Sequence, residues 1–238
     1  MAAASIAARL GRLRWREVEA ALEERPYASL GRLLTSAECR RLIALYPDDT
    51  RFRSRIDMER HRFGVGDYKY FAHPLPAVVE ELRAAAYPHL SRVANRWAQA
   101  LGRSERYPPK LDDYLARCHA AGQTRPTPLL LRYEAGGYNA LHQDLYGDLA
   151  FPLQLAVFLS RPGRDYTGGE FLLVEQRPRA QSVGEALRYG EGEAIVFANR
   201  HRPVRGARGF YRAAVRHGVS RVRSGRRFTL GVIFHDAL

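Results

Sequence analysis

His142-Gln143-Asp144 sets an imidazole and a carboxylate two residues apart. On an extended segment, residues i and i+2 project to the same face, so both side chains can converge on one point while Gln143 turns away. Alone the pattern is weak. A chain of this composition supplies an H-x-D by chance about a third of the time, and a surface His–Asp hydrogen bond uses the same residues. His217 changes the balance: it stands in Val215-Arg216-His217-Gly218-Val219, and ten residues on comes Arg227, in Gly225-Arg226-Arg227-Phe228-Thr229. Two neutral imidazoles and one carboxylate on one face of a metal leave three adjacent positions open. That donor set suits iron(II).

The open positions accept a bidentate 2-oxo acid and dioxygen. The far carboxylate of such an acid needs a guanidinium, which binds it through two parallel charge-assisted hydrogen bonds, with a hydroxyl beside it. Arg227 and Thr229, at i and i+2 of a strand, point to one face and supply both. Arg226 is the rival of Arg227, but neighbours on a strand face opposite ways, and the Gly-x-Arg register selects Arg227. His201 is the rival of His217; it lacks the downstream Gly-x-Arg spacing and is assigned to the substrate entrance. Tyr133 is either a donor to the oxo acid or a buried core tyrosine. His61, His73, His89 and His119 have no partner pattern, and His235-Asp236 is adjacent, so a strand would splay the two apart.

The 238 residues carry a formal charge of +13, and only Lys69 and Lys110 are lysines; the other 36 basic residues are arginines. An acidic partner surface, nucleic acid above all, fits this charge, and a strongly cationic substrate does not. A GC-rich genome also writes arginine for lysine. Cys39 and Cys118 stand far apart without C-x-x-C spacing, which implies neither a disulfide framework nor a zinc site and fits a reducing cytoplasm. No apolar run approaches the roughly 18 to 20 residues needed to span a bilayer, so no membrane partner is expected. The opening, Met1 to Arg16, loosely resembles a transit peptide but is interrupted by Arg9, Arg12 and Arg14, and an amphipathic first helix is expected.

The elements that must position these residues change texture near residue 126, from helical periodicity to short glycine-punctuated runs. Before it, helices are expected at Trp15–Glu24, after a Thr35/Glu38 capping box to about Tyr46, over Pro76–Leu101 as one long helix or two consecutive ones with Pro88 as the weak point, and at Leu111–Ala121. Short strands are expected at Ser29–Leu34, Arg51–Arg55 and Tyr68–Phe71. After it, strands are expected at Leu129–Tyr133, Tyr138–His142, Leu153–Ser160, Glu170–Val174, Glu193–Phe197, Ala214–Val222 and Phe228–Phe234. Seven or so short strands with Gly-rich turns argue for a sandwich or barrel-like double sheet.

With the triad and Arg227 in place, the block from Leu131 to Asp236 resembles the catalytic core of 2-oxoglutarate- and iron(II)-dependent dioxygenases. Further matching features are Tyr133, Gly168-Gly169 before Glu170-Phe171, and Gly192-Glu193-Ala194-Ile195-Val196-Phe197. The resemblance is closest to a prokaryotic group described as oxygenases acting on damaged DNA. It rests on Gly137-Tyr138-Asn139-Ala140-Leu141-His142-Gln143-Asp144-Leu145-Tyr146-Gly147-Asp148, on Thr167 to Phe171 with Glu175 to Arg179, and on Gly209-Phe210-Tyr211-Arg212 with His217-Gly218-Val219-Ser220 and Phe234-His235-Asp236. It implies an α+β chain: a double-stranded β-helix (jelly-roll) core over 127–238, with a mainly helical N-terminal extension, 1–126, packed on it. It further implies that His142, Asp144 and His217 hold iron(II) while Arg227 and Thr229 anchor 2-oxoglutarate, which is oxidised to succinate and CO2 as O2 hydroxylates a substrate.

No acidic residue lies between Glu193 and Asp236, a stretch that holds ten arginines. Within it, Arg205-Gly206-Ala207-Arg208-Gly209-Phe210-Tyr211-Arg212 mixes guanidinium groups, glycines and two rings, the means by which proteins contact phosphates and stack bases. Arg205, Arg208, Tyr211 and His201 are therefore the substrate-contact candidates, against a plain solvated hairpin. A nucleobase is the expected substrate. The alternatives are a prolyl-type protein side chain, or a non-catalytic nucleic-acid-binding module on the same scaffold.

Overall fold

The structure, a computed structural model, describes residues 4–144 and 147–238. Leu145 and Tyr146, inside the run quoted above, and the first three residues of the amphipathic opening lie outside the described residues.

Among the described residues, five α-helices, all before residue 126, frame the chain: α1 (Ile6–Gly11), α2 (Trp15–Glu24), α3 (Ser36–Ala44), α4 (Ala77–Ala100) and α5 (Leu111–Ala120). The capping box opens α3 as its sequence requires: the Thr35 hydroxyl accepts from the Glu38 backbone N–H and the Glu38 carboxylate accepts from that of Thr35. Pro88 does not divide α4, which runs unbroken across it. Pro88 cannot donate to the Ala84 carbonyl. The buried face of Val79, Leu82, Ala86, Leu90, Val93 and Trp97 offsets that loss by packing into the main core along the helix. Arg83, also on α4, reaches through the core to donate from Nε to the Ile233 carbonyl (2.9 Å) and from Nη2 to Asp236 (2.7 Å).

Among the described residues, fourteen strands form two sheets. The strands are β1 (Tyr27–Arg32), β2 (Phe52–Asp57), β3 (Gly64–Val65), β4 (Asp67–Phe71), β5 (Leu129–Glu134), β6 (Tyr138–His142), β7 (Leu153–Phe158), β8 (Tyr166–Gly168), β9 (Phe171–Gln176), β10 (Val183–Leu187), β11 (Glu193–Ala198), β12 (His201–Gly206), β13 (Gly209–Val219) and β14 (Val222–Val232). The larger sheet runs β1-β11-β7-β14-β5-β4-β2, with β8 against β14; the smaller runs β10-β9-β13-β6-β3, with β12 against β13. Their pairings are antiparallel. One buried cluster joins the sheets, with Leu155, Val157 and Leu230 from the larger and Phe171, Leu173 and Val215 from the smaller. This is the jelly roll, with helices gathered at its N-terminal side.

Two features lay beyond the sequence pattern. β10 and β12 are strands where none was expected, because one is largely exposed and the other carries a proline, so neither reads as an alternating apolar run. The N-terminal region also adds strands to both sheets: β1 lies on β11 in the larger, and β3 lies on β6 in the smaller.

Candidate metal centre

Adjacent antiparallel strands β6 and β13 place His142 directly across from His217, with ring centroids 4.2 Å apart. Gly218 permits the close approach at the irregularity that follows, since a Cβ there would stand 2.6 Å from the Asn139 carbonyl oxygen. Asp144 lies just past the end of β6. The Asn199 carboxamide grips its backbone from both sides, accepting from Asp144 N–H (3.1 Å) and donating to its carbonyl (2.5 Å). The Asp144 carboxylate then reaches 3.5 Å from His142 Nε2 and 3.1 Å from His217 Nε2. One ligand atom from each of the three residues lies within 4.8 Å of the others, the only such grouping among the described residues.

The surroundings orient these atoms. His142 Nδ1 donates to the Ala140 carbonyl (2.8 Å), which leaves Nε2 as the basic nitrogen facing the group. Gln154 donates to Asp144 Oδ2 at 3.0 Å. The Phe197 and Phe171 rings flank His217 at 4.9 and 6.0 Å. Burial works to raise the Asp144 carboxyl, but the two imidazoles outweigh it and hold it well below the usual carboxylate range. Burial and the neighbouring His142 push His217 down, towards the neutral ligand form. Two imidazole nitrogens and one carboxylate on one side of a shared point are compatible with iron.

Arg227 and Thr229, on β14, line the same cavity. Arg227 is 1% exposed, and its Nη1 donates to the Thr229 hydroxyl at 2.6 Å. Its Nε and Nη2 are buried with no hydrogen-bond partner among the described residues. Tyr133 and Phe158 hold their rings 5.6 Å from the guanidinium and Tyr166 5.9 Å, so aromatic faces rather than a carboxylate surround the charge. Gly169 makes room: a Cβ there would stand 2.9 Å from Arg227 Cδ, which gives the Gly168-Gly169 pair a physical reason. A buried, unpaired guanidinium is costly. Its presence fits an arriving carboxylate. Arg226 points the other way, to Glu134 at 3.2 Å on the exposed face. The buried Tyr133 hydroxyl accepts from Asn139 Nδ2 (3.2 Å) and faces the cavity.

The cavity has a volume of about 410 Å³. Arg62, Phe63, Tyr68, Asn139, Leu141 and Gln154 also line it, none of them among the site candidates read from the sequence. Phe63 and Leu141 stand at the rim, 47% and 42% exposed. They are neighbours because Ala140 N–H donates to the Phe63 carbonyl (2.8 Å), continuing the β3–β6 pairing. No local pattern marks a loop phenylalanine for such a place; only the pairing of β3 with the strand carrying His142 brings it there. Arg205, Arg208 and Tyr211 lie on the β12–β13 hairpin, away from the cavity wall, with Arg205 paired to Phe210 and Val204 to Tyr211. His201 lines a second cavity, not this one. Of the histidines without a pattern, His61 stacks on Phe63, His89 on Trp15, and His119 meets Asp236 at 2.8 Å.

Comparison with known proteins agrees with this fold. Two uncharacterized proteins from strains of Mycobacterium tuberculosis are 57% identical over 167 residues, which is 70% of this chain and 72% of theirs. A prolyl-4-hydroxylase of Pseudomonas putida superposes with a TM-score of 0.54 at 14% identity, covering 94% of this chain and 99% of that one. A 2OG-Fe(II) oxygenase family oxidoreductase of Burkholderia pseudomallei gives 0.51 at 16%, covering 95% and 93%. At such identities the likeness is one of fold. The family model described as an oxygenase catalysing oxidative methylation of damaged DNA matches residues 66–237. That span holds the triad, the buried arginine and both sheets' central strands, and the chain belongs to this oxygenase family.

Proposed function

We propose that this oxygenase uses iron(II) and 2-oxoglutarate to hydroxylate or oxidatively demethylate a nucleic-acid base. The observation that carries the reading is Arg227: a buried guanidinium with two free donors in the cavity that holds His142, Asp144 and His217. The three side chains would hold the metal, and Arg227 with Thr229 would take the distal carboxylate of the co-substrate in a charge-assisted pair. Bound together, iron and 2-oxoglutarate supply the oxidising power, with succinate and CO2 as co-products. The chain's own part is placement. Gln154 and Asn199 hold Asp144 in line, the Ala140 carbonyl fixes the His142 tautomer, and the aromatic wall around Arg227 keeps water from its charge.

The nucleic-acid part rests on the family description, on the charge of +13, and on the rim. Phe63 with Leu141 offers an apolar face beside the cavity mouth, suited to stacking a base withdrawn from its helix. The β12–β13 hairpin would bring Arg205, Arg208 and Tyr211 to the strand. In this reading residues 127–238 carry the chemistry and 1–126 frame it. The test is iron-dependent succinate formation screened against methylated single-stranded oligonucleotides and, in parallel, proline-containing peptides, with product masses measured. Loss of a methyl group or gain of one oxygen in an oligonucleotide supports the proposal. Turnover confined to peptides refutes the substrate and retains the chemistry.

A further inference from the structure

Beside the metal centre, on the far side of Asn199, lies a second cavity of about 370 Å³. Four arginines from three separate parts of the chain line it: Arg103 and Arg106 after α4, Arg117 on α5, and Arg200 in the turn between β11 and β12. The loop and the turn are anchored by backbone carbonyls. Arg106 donates to the carbonyls of Arg103 (3.0 Å) and Glu105 (2.8 Å), Arg117 to that of Arg106 (2.8 Å), and the Arg200 carbonyl accepts from Gln143 (3.1 Å). A carbonyl positions a guanidinium without neutralising it. Glu105 and Asp148 also line the cavity, yet none of the four arginines forms an ion pair within 4.0 Å among the described residues. His201 reports the same field: burial first, then Arg212, Arg200 and Arg103, push its imidazole down to about 4, so it stands there neutral.

Asn199 connects the two sites, since it lines this cavity while its carboxamide holds the backbone of Asp144. We propose that this cavity is a phosphodiester-binding subsite, which holds the backbone of the nucleic-acid strand next to the base presented to the metal centre. The proposal rests on the nucleic-acid reading above. Arginine suits the role because its planar fork pairs with phosphate oxygens in two places at once, and the cavity's size is at the low end for a ligand pocket.

The experiment is fluorescence anisotropy of a labelled single-stranded oligonucleotide at several salt concentrations. The proteins are wild type, Arg103→Gln/Arg200→Gln, Arg205→Gln/Arg208→Gln and, as a control on α3, Arg41→Gln, each checked for an unchanged thermal midpoint. Both pocket arginines are exposed, so the substitutions leave the core intact. Loss of two phosphate contacts should lower the slope of log K against log salt by about 1.4 and weaken binding roughly 25-fold at 0.1 M salt. A pocket variant with the wild-type slope, while the hairpin variant loses it, overturns the subsite and leaves the nucleic-acid reading standing. An equal loss in Arg41→Gln overturns it in favour of diffuse charge. Wild type that binds no oligonucleotide refutes the underlying reading, and the subsite with it. Poly-glutamate bound with the same dependence on the pocket arginines overturns it in favour of an acidic peptide.

Discussion

Arg227→Met should make the free protein more stable and the ligand-bound protein less so. Arg227 is 1% exposed, and two of its donor nitrogens lack partners among the described residues. Each such buried group costs about 1–3 kcal/mol, or roughly 4 kcal/mol for the pair. Against this stand the Thr229 hydrogen bond and three ring contacts at 5.6–5.9 Å, near the outer limit of cation–π attraction, together about 2.5 kcal/mol. The net gain is about 1–2 kcal/mol, or about 2–8 °C in Tm for a chain of this size. The same substitution removes two charge-assisted hydrogen bonds to a bound 2-oxo acid, each worth about 1.5–3 kcal/mol, so affinity falls by about 10²- to 10⁴-fold. Thermal unfolding with and without a non-reactive 2-oxoglutarate analogue separates the two effects. At a hundredfold excess over Kd the wild type should gain about 2.7 kcal/mol from the ligand, and the variant nothing measurable. A variant that is less stable alone and still responds to the analogue would refute the role given to Arg227.

Three further expectations follow from named groups. His142→Ala should abolish iron-dependent succinate formation and weaken iron binding measured by metal titration, because it removes one of three donors that lie within 4.8 Å of one another. Gly192→Ala should cost more than about 3 kcal/mol in urea unfolding: φ there is +79°, and a Cβ would stand 2.0 Å from the Leu34 carbonyl oxygen, at the junction of β1 and β11. Acid should destabilise in two stages. His235, pushed down to about 4 by burial, and Glu38, held at about 2 mainly by its hydrogen bond to Arg9, both bind protons more weakly folded than unfolded. Stability is therefore full above about pH 6.5 and falls on acidification, through His235 and His201 between 6.5 and 4 and then through Glu38 between 4.5 and 2. The buried His235 contributes at most about 3 kcal/mol of the first limb. His235→Asn keeps an acceptor for the Phe151 N–H and should remove that contribution in urea unfolding run from pH 7.5 to 4.

The helices show how far local pattern carries. The Thr35/Glu38 box and the stretch Trp15–Glu24 were legible because capping and amphipathic spacing act within a few residues. Pro88 left one long helix and two shorter ones both open, because its penalty is local whereas the packing that keeps α4 whole comes from elements distant in sequence. β12 escaped notice for the opposite reason: His201-Arg202-Pro203-Val204-Arg205 has no apolar alternation, and it is a strand because β13 supplies its hydrogen-bond partners. The buried Arg202 in that strand is tolerated because Glu175 and the carbonyl end of α2 meet its guanidinium.

The candidate site divides along the same line. Residue type and spacing alone marked out the candidate donor set His142, Asp144 and His217, and the i, i+2 pairing of Arg227 with Thr229, since strand geometry sends alternate side chains to one face whatever lies around them. Only the tertiary structure decided that His142 and His217 face each other across neighbouring strands, and that Arg227 keeps two donors unpaired inside aromatic walls. It also decided that Phe63 from the N-terminal region stands at the rim, and that His201 turns to a second, arginine-lined cavity. These relations join residues up to about 150 positions apart, such as Phe63 with His217. Register between distant strands sets them, and no short window of sequence encodes that register.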